Sequence, residues 1–122
     1  MSSTVKENIV FESTFNEEKF KKVIYHASLE QDLKILPFGV ETEIGEKGIN
    51  ISGGQKTRIA LARALYSDRD IYLLDDVLSA VDVHVGEFLM RETLKGYLKG
   101  KTIIMPTHAL KFAEVVDEII VM

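Results

Sequence analysis

Phe20, Val23, Ile24 and Ala27 recur at i, i+3, i+4 and i+7, the spacing of one face of a helix. Asn16 stands before them as a cap, and Glu17 and Glu18 fall in the first turn, where negative charge complements the helix dipole. The pattern predicts an amphipathic helix. Ser28 with Gln31 offers a capping box for a shorter helix, which carries Leu29, Leu33 and Leu36 to a stop at Pro37. Over 37–54 the periodicity is lost. That stretch holds Pro37 and five of the eight glycines (Gly39, Gly45, Gly48, Gly53, Gly54), which predicts an extended loop with tight turns. From Ser52 helical spacing resumes through Ile59, Ala62 and Leu65, among good helix formers.

Beyond residue 66 the pattern changes to short apolar runs. Ile71–Tyr72–Leu73–Leu74 is apolar at every position and stops at Asp75–Asp76, which suits a strand of a parallel sheet buried on both faces. A helix is expected at about 83–95, with Val85, Phe88 and Leu89 inward. Thr102–Met105 then reads as a second strand, Ala109–Val116 as a short helix and Glu118–Met122 as a third strand. Strands alternating with helices predict a parallel α/β sheet with right-handed crossovers in the C-terminal half. The first half carries no strand signal, and the chain contains no internal repeat.

Composition narrows the classes without choosing among them. A chain of 122 residues with 46% apolar and 28% charged residues suits one globular domain rather than a disordered or collagen-like chain. The absence of cysteine excludes disulfides, thiolate metal sites and cysteine nucleophiles. A net charge of -4 gives no electrostatic reason to expect nucleic acid as a partner. Met1–Asn8 lacks the apolar core of a secretory signal, and no run of about 18 apolar residues exists to span a bilayer.

Three places carry candidate chemistry. Ser52–Gly53–Gly54–Gln55 sits where a loop enters a helix, and unpaired N–H groups beside two glycines suit a phosphate. Taken alone, this is also an ordinary Ser-capped helix after a glycine turn. Asp75 and Asp76 end an apolar strand, where open α/β sheets place ligand-binding groups. One carboxylate there can support hydrated Mg²⁺ beside phosphates and its neighbour can orient an attacking water, although such a pair also serves to cap a turn. His108 follows the second strand, which would open it onto the same sheet edge as Asp75.

Leu36–Gly48, Ile51–Gln55, Leu73–Asp76, Ser79–Asp82 and Thr107–His108, in that order and at those spacings, closely resemble the later part of an ATP-binding-cassette (ABC) transporter nucleotide-binding domain, from signature motif to switch histidine. Asp76, Leu78 and Ser79–Asp82 look most like the first cassette of the multidrug-resistance-associated subfamily. The resemblance implies a P-loop NTPase-like parallel sheet preceded by an α-helical subdomain. About 5–66 would form that subdomain, part of it facing transmembrane domains. About 67–122 would be a remnant of the α/β core with Walker B, D-loop and H-loop.

The same resemblance implies roles. Ser52, Gly53, Gly54 and Gln55 would contact the γ-phosphate of ATP held mainly by a second nucleotide-binding domain. Asp75 would hold Mg²⁺ through water, and Asp76 would stand where fully active members carry the catalytic glutamate. Asp82 would communicate across the dimer, and His108 would sense the γ-phosphate. The chain would then lie at the cytosolic face of a membrane, held by transmembrane domains it does not itself contain.

Departures from the family pattern qualify these roles. Asp76 is one methylene shorter than glutamate, and a misplacement of about 1 Å can cost on the order of 100-fold in rate. Hydrolysis with Asp76 is therefore expected to be slow. Val77 stands where proline is frequent, and Pro106 cannot donate to a ladder, so the second strand is expected to stop at Met105.

No Gly-x-x-x-x-Gly-Lys-Ser/Thr occurs in the 122 residues, so the Walker A strand and its phosphate-cradling loop are not among them. About five charge-assisted hydrogen bonds at roughly 1.5–3 kcal/mol each would be lost. Micromolar affinity corresponds to only about 8 kcal/mol, so the chain alone is not expected to hold ATP. The sheet is accordingly expected to be incomplete, with Glu118–Met122 deprived of its partner strand and an apolar edge prone to rearrange or aggregate. The expectation is therefore a fragment, an ATPase only within a complete cassette dimer.

A non-enzymatic module that docks on a partner cassette is the alternative. A chromosome-maintenance ATPase would need heptad coiled coils, which are absent. Gly53–Gly54–Gln55 also resembles the release-factor triplet, but the acidic balance and the Asp75–His108 context disfavour that reading.

Overall fold

The computed structural model describes residues 3–122. Its first helix, α1 (Val5–Val10), opens with a reciprocal cap: Glu7 N–H donates to Thr4 Oγ1 at 3.0 Å, and Thr4 N–H donates to the Glu7 carboxylate at 2.9 Å. Helix α2 (Glu17–His26) begins at Asn16, whose side chain accepts the Lys19 N–H at 3.0 Å, and buries Phe20, Val23 and Ile24 as the periodicity predicts. The expected Ser28–Gln31 box does not form. Ser28 lies at φ 57° and its N–H closes the end of α2 on the Tyr25 carbonyl, so it cannot adopt the extended geometry of a cap. Helix α3 (Glu30–Ile35) instead follows Leu29 without a side-chain cap.

Helix α4 (Gly53–Ser67) starts at Ser52 and crosses α1, burying Ile59, Leu61, Ala62, Leu65 and Tyr66. Tyr66 is fully buried, and its hydroxyl donates to the Thr14 carbonyl at 2.6 Å and accepts the Asn16 N–H at 2.8 Å. Both polar demands of the phenol are thus met inside the core. The first half does contain strands, contrary to expectation. β1 (Ser3–Thr4) pairs antiparallel with β2 (Glu43–Ile44). At two residues each, they are too short for period-2 alternation to register.

In the second half, β3 (Ile71–Leu73) and β4 (Thr102–Ile104) form a two-stranded parallel sheet with Tyr72 opposite Ile103. Two positions of the apolar run are buried, Tyr72 and Leu74, while Ile71 and Leu73 are 62% and 74% exposed. The run is therefore covered on one face, not both. β4 ends at Ile104, one residue short of expectation, yet backbone pairing persists: Leu74 N–H donates to the Ile104 carbonyl at 3.0 Å and Asp76 N–H to the Pro106 carbonyl at 2.9 Å. Pro106 contributes the acceptor that it retains.

The helix expected at 83–95 is α5 (Val83–Phe88) followed by a π-helical segment, Leu89–Tyr97. Leu89, Met90, Thr93, Leu94 and Leu98 are buried at steps of four to five residues, which the wider π turn accommodates. The helix expected at 109–116 is a 3-10 turn, Leu110–Val115. Glu118–Met122 forms no strand. Ile119 to Met122 stay largely exposed, because an extended run becomes a strand only when a neighbouring edge takes up its hydrogen bonds. Among the described residues no helix is long and apolar enough to cross a membrane.

Candidate functional site

The first part of the site is the start of α4. Gln55 N–H donates to Ser52 Oγ at 3.1 Å, and Ser52 N–H donates to Gln55 Oε1 at 2.8 Å. Gln55 Nε2 donates in turn to Asp32 Oδ1 at 3.1 Å, and Arg58 grips the same carboxylate with both terminal nitrogens while donating to the Ser28 carbonyl. The Arg58–Asp32 pair is largely buried, with side-chain exposures of 12% and 18%. It fixes the first turn of α4 against α3.

The second part is the C-terminal end of the β3–β4 sheet. Asp75 is exposed. Asp76 is half-buried and lies at φ 50°, a left-handed conformation that aspartate tolerates better than most side chains. Its carbonyl accepts the Ser79 N–H at 3.2 Å and the Ser79 hydroxyl at 3.0 Å. Thr107 Oγ1 donates to Asp76 Oδ1 at 3.3 Å and accepts the Ala109 N–H at 3.0 Å. His108, beside Thr107, is exposed. Asp82 caps α5, its carboxylate accepting the Val85 N–H at 2.8 Å.

Gly54 joins the two parts. A Cβ placed there would run into the carbonyl oxygen of Ala80, inside Ser79–Asp82, whereas a Cβ at Gly53 would meet nothing within 4 Å. The start of α4 therefore rests directly on the loop between Asp76 and Asp82. Close backbone approach is the reason position 54 is glycine.

The residues suit a nucleotide phosphate and magnesium. As first-turn residues of α4, Gly53 and Gly54 present amides with no partner inside the helix, and the space beside Gly53 is open. Ser52 Oγ accepts the Gln55 N–H and keeps a proton to donate. Among the described residues no group of three or more His, Asp or Glu side chains can cage a metal, so a resident all-protein site is not formed. Mg²⁺ needs no such cage, since it is commonly held by one or two carboxylates with water and substrate phosphates, which Asp75 and Asp76 can provide. Two surface clefts of about 380 and 390 Å³ run along the helical half, and neither is lined by Ser52, Asp75, Asp76 or His108.

The sequence-predicted residues thus fall into two adjoining clusters, Ser52–Gln55 and Asp75–Asp76 with the segment leading to His108. Sequence reasoning placed Thr107 in a motif with His108 without giving it a role, and missed Asp32 and Arg58. Gln55 three residues after Ser52 is a legible capping box, but nothing local signals that Asp32, 23 residues earlier, meets it. Away from the site, burial pushes the His26 imidazole below its ordinary value, partly opposed by Glu92, and its ring stacks on Tyr97 at 4.5 Å.

Comparison with known proteins gives the family. The family model for "ABC transporter" matches residues 1–79. The chain is 53% identical over 123 residues to "ATP-binding cassette sub-family C member 2" of Homo sapiens, covering 99% of this chain and 8% of that protein. It is 50% identical over 121 residues to "Multidrug resistance protein mrp-7" of Caenorhabditis elegans, covering 98% and 8% respectively. It is 53% identical over 121 residues to "Oligomycin resistance ATP-dependent permease YOR1" of Saccharomyces cerevisiae, covering 99% and 8%. The chain spans about 8% of the length of each of these relatives.

Proposed function

This chain belongs to the ABC transporter family, and from that premise we propose that it forms the signature-to-switch portion of a nucleotide-binding domain in a transport ATPase. Strands β3 and β4 belong to a P-loop NTPase-like sheet completed from outside these 122 residues. About 5–66 make the helical subdomain and about 67–122 the partial α/β core. A single observation carries the reading. The parallel register of β3 and β4 sets Asp75–Asp76 and Thr107–His108 at one end of the sheet, joined by the Thr107–Asp76 hydrogen bond.

Bound ATP and Mg²⁺ supply the reacting phosphates and the charge that the metal neutralises. Ser52, Gly53, Gly54 and Gln55 bind the γ-phosphate of a nucleotide cradled by a second nucleotide-binding domain. Asp75 would hold Mg²⁺ through water. Asp76 orients the attacking water, His108 meets the γ-phosphate, and Asp82 ties the site to the opposing subunit. Transmembrane domains hold the assembly at the cytosolic face of a membrane, and nucleic acid is no partner.

Without a P-loop among its residues, the chain alone does not retain ATP. Calorimetric titration with ATP and Mg²⁺ checks this, and micromolar affinity refutes it. A non-enzymatic module that docks on a partner cassette is the second reading, which fits the lack of a P-loop motif among these residues. Mixing the chain with an intact cassette separates the two. ATP-dependent association with added turnover supports the motor, and association without turnover supports the module.

A further inference from the structure

We infer that Thr107 is a positioning residue for Asp76, holding one carboxylate oxygen so that the other faces the attacking water. The inference rests on the reading of Asp76 given above. It begins with the backbone: Asp76 sits at φ 50°, and its conformation is held by its N–H on the Pro106 carbonyl and by Ser79 on its own carbonyl. Those contacts fix the main chain and leave the side chain free to turn. Thr107 removes that freedom. Its hydroxyl accepts the Ala109 N–H at 3.0 Å, which directs its proton away from Ala109, and it donates to Asp76 Oδ1 at 3.3 Å.

The chain of contacts runs Ala109 N–H to Thr107 hydroxyl to Asp76 carboxylate, so the switch segment next to His108 and the carboxylate move as a unit. Thr107 is exposed, and valine reproduces its shape without the donor. In an aspartate with a shorter reach than glutamate, orientation decides how much of the water's proton it can accept, and a misplacement of about 1 Å can cost on the order of 100-fold.

The test uses Thr107→Val, Thr107→Ala and Thr107→Ser in the assembled cassette, with Asp76→Asn alongside. Thr107→Val and Thr107→Ala should lose about tenfold or more in kcat while KM for ATP stays within about twofold, and Thr107→Ser should recover most of the loss. On an Asp76→Asn background, Thr107→Val should cost nothing further. In the 122-residue chain, the Ala109 amide should exchange with solvent faster in Thr107→Val than in the wild type or Thr107→Ser. If Asp76→Asn slows turnover while Thr107→Val matches wild type, the role of Thr107 is overturned and that of Asp76 stands. If Asp76→Asn leaves turnover unchanged, the reading of Asp76 fails and this inference fails with it. Unchanged Ala109 exchange also overturns it.

Discussion

Replacing Gly54 by alanine sets two effects of opposite sign against each other. Alanine in place of glycine within a helix ordinarily gains about 0.5–1 kcal/mol, because the unfolded chain loses freedom. At Gly54 the added methyl meets the Ala80 carbonyl, a backbone atom that cannot swing aside as a side-chain tip would. Overpacking of this kind costs about 1–3 kcal/mol. The clash wins, and Gly54→Ala should be destabilised by about 1–2 kcal/mol net. Gly53→Ala is the control, since nothing lies within 4 Å of its new methyl and only the gain remains. Urea unfolding followed by far-ultraviolet circular dichroism reads the difference, which at a slope of about 1–1.5 kcal/mol per molar amounts to about 1–3 M between the midpoints. Gly54→Ala with a midpoint equal to or above that of Gly53→Ala refutes the contact between the start of α4 and the Ser79–Asp82 loop.

Arg58→Met should cost about 3 kcal/mol in the same assay, because Asp32 is left charged and mostly buried, while Asp32→Asn combined with Arg58→Met should cost clearly less. Burial depresses the native pKa of His26 below its ordinary 6.5, so the unfolded state binds the proton first. The stability held by neutral His26 is complete above about pH 6.5 and declines as pH falls through that value toward the depressed native one. His26→Phe should flatten this part of the profile, and equal slopes for the two proteins between pH 7.5 and 5.5 refute the assignment. Ile120→Lys with Val121→Lys should lower the sedimentation coefficient at high protein concentration, because these side chains, 79% and 90% exposed, contribute to an uncovered apolar surface; an unchanged concentration dependence refutes that.

Legibility in the sequence followed the range of the forces involved. Asn16 and Ser52 act on residues three positions away, and their caps could be read directly, as could the apolar face of α2. Ser28 has the right side chain for a cap but the wrong backbone, and the φ of 57° reflects the sharp turn out of α2, which no local pattern announces. The β3 run is uniformly apolar, yet half of it is exposed, because burial depends on what else is packed against the sheet. In the site, Asp75, Asp76 and His108 could be placed from strand ends alone. Thr107 stands beside His108 in the sequence, but its contact with Asp76, 31 residues earlier, has no local signal.

Asp76 brings these strands of argument to one residue. Its backbone lies in the left-handed region, where aspartate and asparagine are enriched because their short side chains engage neighbouring polar groups. Glutamate lacks that local advantage. The side chain with the shorter reach in the role proposed for it is therefore also the one that this turn accommodates, and in that conformation it meets Thr107 at 3.3 Å. A glutamate would gain reach but is less favoured at positive φ, and any relaxation of the turn would carry it toward negative φ. That shift would strain the bonds from Asp76 N–H to Pro106 and from Ser79 to the Asp76 carbonyl. On the role proposed for Asp76, a shorter reach toward water and the hydrogen bond to the segment before His108 both go with this one backbone conformation.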